Sequence, residues 1–146
     1  DKSLEMLRVA RAKLQNLPAD RIELVQGDFH ALPFDAGSFD TVLFHQVLHY
    51  AVDLLVPLRE AARVLRPGGR LAIVDFAAHG HEELRERYQH ARLGFEDDHI
   101  ASALEQIGFM PEPPRALEGE TLTVKIWVAR RVDALGTRDT KRKAAR

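Results

Sequence analysis

Residues 39–76 read FDTVLFHQVLHYAVDLLVPLREAARVLRPGGRLAIVDF, and this stretch decides the fold class. Phe39 to Phe44 has the dense apolar character of a strand covered on both faces, where a one-sided strand would alternate. Asp53 to Leu65 turns to helical spacing through Leu55, Leu58, Ala62 and Leu65, and Arg66-Pro67-Gly68-Gly69 stops it. Pro57 is tolerable only in that helix's first turn. Arg70 to Phe76 then supplies a second strand around Leu71-Ala72-Ile73-Val74.

The flanks extend the pattern. Leu4, Leu7, Ala10, Leu14 and Leu17 recur at helical spacing behind Ser3 as N-cap, and Pro18 follows. Ile22 to Gln26 predicts a short buried strand closed by Gly27-Asp28, with residues 30–38 continuing the loop. His81 to Ile107 predicts helix apart from a break near Gly94. Pro111, Pro113 and Pro114 force an irregular or edge segment, after which Leu122, Val124, Ile126 and Val128 alternate with Thr121, Thr123, Lys125 and Trp127. Helix, strand, strand, helix, strand, helix, strand implies an α/β sheet with helices on both faces. Residues 131–146 form a basic tail, expected to be disordered, behind a domain spanning 1–130.

With 146 residues the chain fits one domain that buries roughly 70% of its unfolded surface. A net charge of −1 gives no support for a surface built to attract nucleic acid or membrane. The absence of cysteine excludes disulfides, thiolate nucleophiles, Cys-based zinc sites and thiolate chemistry on soft metals such as arsenic. No apolar run approaches the roughly 20 residues of a membrane span, so the cytosol is the default compartment. The chain starts without methionine and enters at once into a helix, which suggests that an upstream part is missing.

In an open α/β sheet, ligands sit outside the carboxyl ends of the strands, here near Gly27-Asp28, His45-Gln46 and Asp75-Phe76. A nucleoside needs an acceptor pair for the ribose hydroxyls, an acceptor for the adenine amine and apolar walls. Asp1 and Asp28 stand in acidic positions of that kind, with Met6 and Phe29 as candidate walls. His45 and His49 are four apart, on one face if that turn is helical, and His79 and His81 are two apart. No Glu lies between His45 and His49 in the manner of a zinc peptidase, so no metal site is expected. His45, Gln46, His49 and Tyr50 line the rim after the Phe39–Phe44 strand. One imidazole is available there as base, or the loop is a wall with no chemical role.

Five motifs stand in register: Asp1-Lys2-Ser3-Leu4-Glu5-Met6-Leu7; Gly27-Asp28-Phe29 with Leu32-Pro33-Phe34; Ser38-Phe39-Asp40-Thr41-Val42; Val47-Leu48-His49-Tyr50; and Leu65-Arg66-Pro67-Gly68-Gly69-Arg70-Leu71. In order and spacing they resemble class I S-adenosylmethionine-dependent methyltransferases of the ubiquinone/menaquinone-biosynthesis-like type. His79 through Leu93-Gly94-Phe95, followed by Thr123-Val124-Lys125-Ile126-Trp127, is similar to the methyltransferase half of fusions with an arsenical-resistance-type winged-helix regulator.

The resemblance implies a Rossmann-like α/β methyltransferase sheet lacking its first strand and Gly-rich loop, with S-adenosylmethionine as cofactor. It implies that Asp1 binds the ribose, Asp28 the adenine amine, Phe29 and Met6 flank the adenosine, and the His45 backbone lies near the methionine moiety. Asp40 would orient neighbouring backbone. Gln46, His49, Tyr50 and Arg85 are the candidates on the acceptor side, Arg85 for an anionic acceptor. The catalytic group is not named, because in-line methyl transfer requires alignment more than a dedicated base. The reaction expected of the parent protein is methyl transfer to a small molecule, with weakened cofactor binding by this chain. The alternative is a non-catalytic ligand-sensing or dimerisation module of a winged-helix regulator. A homodimer and DNA contact only through an upstream domain complete the partners so implied. A dehydrogenase would need a Gly-rich dinucleotide turn, which is not present here.

Overall fold

The computed structural model describes residues 1–132. Helix α1 (Leu4–Leu14) forms as expected: the Ser3 hydroxyl accepts from the Met6 amide, Glu5 sits in the first turn, and Arg11 and Lys13 in the last. Its apolar side is only half-buried. Ile22–Gln26 is extended but is not a strand, which corrects the expectation. A strand exists only through a ladder, and among the described residues the backbone of this segment meets that of Asp1 alone. The Asp1 nitrogen donates to the Val25 carbonyl and the Gly27 amide to the Asp1 carbonyl, at 3.2 and 3.0 Å.

Strand β1 (Phe39–His45), helix α2 (Leu55–Val64) and strand β2 (Leu65–Phe76) form the predicted unit, with β1 parallel to β2. Pro57 is the third residue of α2, where its missing amide costs nothing. Arg66-Pro67-Gly68-Gly69 ends the helix but lies inside β2. It bulges outward, so that Phe39 pairs with Leu65 and Thr41 already with Arg70. Asp40 pairs with Arg66 across this bulge, on the surface.

The chain continues through α3 (Glu83–Tyr88), α4 (Asp97–Gln106), β3 (Phe109–Pro111), β4 (Arg115–Leu117) and β5 (Val124–Arg131). The predicted single helix with a break at Gly94 is thus two helices separated by residues 89–96. The sheet order is β1-β2-β5-β3; β5 runs antiparallel to β2, and β4 also pairs with β5. β5 runs through Arg131, the first residue of the expected tail, and positions 133–146 lie outside the described residues.

Phe44, Leu71, Ile73, Trp127 and Ala129 share one face of the sheet and bury against Leu58 and Ala61 of α2 and Ile100 and Leu104 of α4. On the other face Ala72 and Val74 of β2 and Ile126 and Val128 of β5 are half-buried. Thr41 and His45 are exposed there, and Leu43 is 57% exposed. For β1 itself, cover on both faces is corrected: it is apolar enough for it, but it is an edge strand with one face exposed. Among the described residues no helix is long and apolar enough to cross a membrane.

Candidate active site

Strand β1 delivers the chain to Gln46, which adopts φ 50° and donates its amide to the Val74 carbonyl at 2.7 Å. A non-glycine residue in that region carries a cost of about 1 kcal/mol or more and marks a position that the surroundings enforce. The turn throws residues 48–50 into one 3-10 turn against the end of β2. His45 stays exposed on the strand while His49 goes inside, so the two imidazoles do not share a helical face.

Asp75 receives that turn. Its position follows from strand alternation: Leu71, Ile73 and Asp75 all point to the packed face, and Asp75 is fully buried. Oδ2 accepts the amides of Leu48 and His49 at 3.1 and 3.3 Å, and Oδ1 accepts the Phe76 amide at 2.9 Å. Oδ1 also accepts Nδ1–H of His49 at 2.7 Å. A carboxylate taking backbone N–H groups on both oxygens is an acceptor, so the hydrogen-bond network assigns the His49 proton to Nδ1 and the lone pair to Nε2.

Residues 89–95 close over this pair. Gly94, at φ 76°, runs so close to β2 that a Cβ would stand 2.0 Å from the Ala77 carbonyl oxygen. The approach lets Phe95 donate to the Phe76 carbonyl, Ala78 to Phe95 and His79 to Leu93. Arg92 clamps the other side: its amide donates to the His49 carbonyl, and its guanidinium to Ala51 and Val52. His90 thereby packs against His49, the rings tilted by 30° with centroids 4.1 Å apart. Burial lowers the pKa of His90 and of His79 below the ordinary imidazole value. Nδ1 of His90 and Nε2 of His79 are shut off from solvent without a hydrogen-bond partner among the described residues. A cleft of about 250 Å³ opens here, with Gln46, His49, Tyr50, Phe76, Tyr88 and His90 on its walls.

A second cleft, of about 330 Å³, lies between α1 and residues 23–34, and Asp1, Met6, Leu7 and Pro33 are among its walls. Asp1 accepts the Ser3 amide on Oδ1, and Oδ2 has no partner among the described residues. Asp28 and Phe29 follow this wall. Asp28 accepts the amide and Nδ1 of His30, and Lys2 stands 3.2 Å from its other oxygen. Above all the His30 amide, then the His30 ring and Lys2, hold its pKa at about 2. Phe29 packs against the core and tilts on His30. Residues 32–34 are tied to α2 through Glu60 and Arg63, whose guanidinium donates to the Leu32 and Phe34 carbonyls.

The fold thus brings Asp1 and Met6 together in the α1 cleft and Gln46, His49 and Tyr50 in the other, whereas Asp28, tied to Lys2, and Phe29, packed on the core, are not among the α1 cleft's walls, and His45 is exposed at the end of β1. Arg85 stands apart from both clefts' walls, paired with Glu82 at 3.1 Å and donating to the Ala91 carbonyl. Sequence reasoning missed Asp75 and His90. An acid following Leu71 and Ile73 in a period-two row was a usable signal for the first.

A family model for a methyltransferase domain matches residues 1–73. The chain is 48% identical over 73 residues to an uncharacterized 37.1 kDa protein in transposon Tn4556 of Streptomyces fradiae, a match covering 50% of this chain and 21% of that protein. It is 44% identical over 75 residues to the demethylmenaquinone methyltransferase of Lactococcus lactis, covering 51% and 30%. To the ubiquinone/menaquinone biosynthesis C-methyltransferase of Pseudoalteromonas translucida it is 39% identical over 89 residues, covering 60% and 36%. The matched part thus spans about a fifth to a third of these relatives' lengths. Among solved structures, an S-adenosylmethionine-dependent methyltransferase from Methanosarcina mazei superposes with a TM-score of 0.72 at 20% identity, over 90% of this chain and 80% of that one. The [4+2]-cyclase SpnF superposes at 0.74 with 16% identity, over 90% and 64%, so the fold by itself does not fix the chemistry. The motifs of residues 1–73, on an open Rossmann-like α/β sheet, make this chain a member of the class I S-adenosylmethionine-dependent methyltransferase family.

Proposed function

We propose that the protein to which this chain belongs transfers a methyl group from S-adenosylmethionine to a small-molecule acceptor that enters the cleft at Gln46, His49 and Tyr50. The observation that carries the reading is the placement of that cleft at the carboxyl ends of β1 and β2, directly after His45.

The residues present fit the adenosine half of the cofactor. Asp1 keeps one carboxylate oxygen free for a ribose hydroxyl beside the α1 cleft, and Met6 offers a half-exposed thioether wall. Asp28 is anionic and close by, with Lys2 and His30 as the competitors that an adenine amine would displace. Phe29 flanks the same side, and the His45 backbone adjoins the methionine end. When bound, the cofactor supplies a methyl group activated on a sulfonium. The chain's part is to hold acceptor and methyl in line.

Turnover by a full-length, cofactor-saturated protein against a panel of small acceptors tests the reading, with methylated product and S-adenosylhomocysteine in equal amounts as the expected result. Binding of ligands without product across the panel would replace it with the ligand-sensing or dimerisation module of a winged-helix regulator.

A further inference from the structure

We infer that Arg63, fixed by Glu60, is a positioning residue for the nucleoside end of the cofactor. From α2, outside the walls of the α1 cleft, it sets where residues 32–34 stand, and through them Gly27, Asp28 and Asp1. The inference deepens the cofactor reading and rests on it for the identity of the ligand.

Helix α2 buries Leu58, Ala61 and Val64 in the core and leaves Glu60 and Arg63 half-buried on an adjoining side. Three residues apart, the two are neighbours on the helix surface. Nε of Arg63 donates to Oε1 of Glu60 at 2.9 Å and Nη2 to Oε2 at 2.8 Å, which holds the plane of the guanidinium. The other bonds leave the helix. Nη1 reaches the Phe34 carbonyl at 2.7 Å and Nη2 the Leu32 carbonyl at 2.9 Å, while Oε2 of Glu60 accepts the Leu32 amide at 2.9 Å. The Arg63 carbonyl accepts the Gly37 amide at 2.9 Å, so one residue ties both the loop and its return. The core packing of α2 uses none of these bonds, and all of them lead to one loop.

That loop bears on the ribose and adenine candidates by two routes. Pro33 packs on Gly27 so closely that a Cβ there would stand 3.0 Å from Cδ of the ring. The Gly27 amide in turn donates to the Asp1 carbonyl at 3.0 Å. On the other route the Ala31 amide donates to the Asp28 carbonyl at 3.0 Å, which puts Asp28 one short turn from Leu32. Leu32, Pro33 and Phe34 also wall the same cleft as Asp1 and Met6. A displacement of residues 32–34 therefore moves a cleft wall and both acidic residues together. Lysine cannot replace the device. Its three donors radiate from one point, whereas two carbonyls and a carboxylate are met here by a planar fork.

The test compares Arg63→Lys with Arg59→Lys, an exposed position on the same helix, in the 146-residue chain. Without ligand, exchange of the Gly27 amide is expected to rise about tenfold in Arg63→Lys, with the β2 amides still protected. With S-adenosylhomocysteine, the amide shifts of Gly27 and Asp28 are followed at low saturation, where their slope is inverse to the dissociation constant. Arg63→Lys should lower that slope about fivefold, and Arg59→Lys should leave it unchanged. Pro33→Ala should weaken binding as well, and its combination with Arg63→Lys should do less than the two effects multiplied, because both act through one contact. In the full-length protein Arg63→Lys should raise the KM for S-adenosylmethionine about fivefold with kcat unchanged. A merely structural Arg63 would lower the folded fraction and leave KM alone. An unchanged Gly27 exchange rate, an unchanged slope, an equal effect of Arg59→Lys, or strict additivity with Pro33→Ala overturns the inference. So does an unmodified chain that shows no response at Gly27 and Asp28, and the placement of the cofactor falls with it. Weakened binding in Arg63→Lys, with no acceptor methylated by the full-length protein, leaves the inference standing and removes the methyl-transfer reading. Methyl transfer with the same KM in Arg63→Lys gives the converse.

Discussion

Nδ1 of His49 lies 2.7 Å from Oδ1 of Asp75, two side chains 26 residues apart that are 3% and 1% exposed. The pair joins the turn after β1 to the end of β2, and it joins stability to the candidate chemistry. Asp75→Ala would leave three backbone amides and Nδ1–H without an acceptor inside the core. The expected loss is about 3–5 kcal/mol of unfolding free energy by denaturant titration. A loss under about 1 kcal/mol would mean that water replaces the carboxylate and that the pair is not structural.

Gly94→Ala tests the closure of residues 89–95. The φ of 76° and the 2.0 Å approach to the Ala77 carbonyl leave no room for a methyl group. Residue strain alone costs about 1–2 kcal/mol, and displacement of backbone adds to it, so destabilisation above about 2 kcal/mol is expected. His90 should also leave His49, seen as loss of the ring-current shifts on the His49 protons.

Acid should act through the buried histidines before it reaches the carboxylates. Burial keeps His90 and His79 neutral in the fold below the ordinary value of 6.5. The unfolded chain therefore binds more protons as pH falls through 6.5, and unfolding becomes easier in that direction. Stability measured from pH 7.5 to 5 should be full above 6.5 and decline below it. His90→Phe should flatten the decline, and an unchanged slope in that variant would contradict the assignment.

Glu60 holds the loop that walls the α1 cleft. Its carboxylate accepts the Leu32 amide at 2.9 Å, and the Arg63 hydrogen bonds are the main reason its pKa lies below the usual range. Glu60→Ala should raise amide exchange at Leu32 by about tenfold while leaving β2 protected. Equal protection of Leu32 in both chains would show that the loop holds without α2.

Much of this was legible from residue order alone. The β1-α2-β2 unit follows from two apolar runs around a 3.6-period helix, and α1 from Ser3 and the Leu4, Leu7, Ala10 spacing. What failed depended on neighbours. Ile22–Gln26 has strand composition, but a ladder needs a partner, and among the described residues Asp1 alone meets its backbone. Leu43 is as apolar as a buried strand requires, yet nothing among the described residues covers its face. The site divides in the same way. His49 and Tyr50 could be placed at the rim because they follow a strand end, whereas His90 reaches His49 only because Gly94 admits a close approach and Arg92 clamps the turn. Asp75 was readable as an acid in a buried row, though its partner 26 residues earlier was not.

The family assignment is tested most directly by titrating the 146-residue chain with S-adenosylhomocysteine and following backbone amides by NMR. Saturable shifts are expected at Asp1, Lys2, Met6, Asp28, Phe29 and His45, with a dissociation constant near the millimolar range, about 4 kcal/mol weaker than micromolar binding. Asp28→Ala should weaken it further. Shifts confined to other surfaces, or none at about 10 mM ligand with a folded chain, would contradict the placement of the cofactor on these residues.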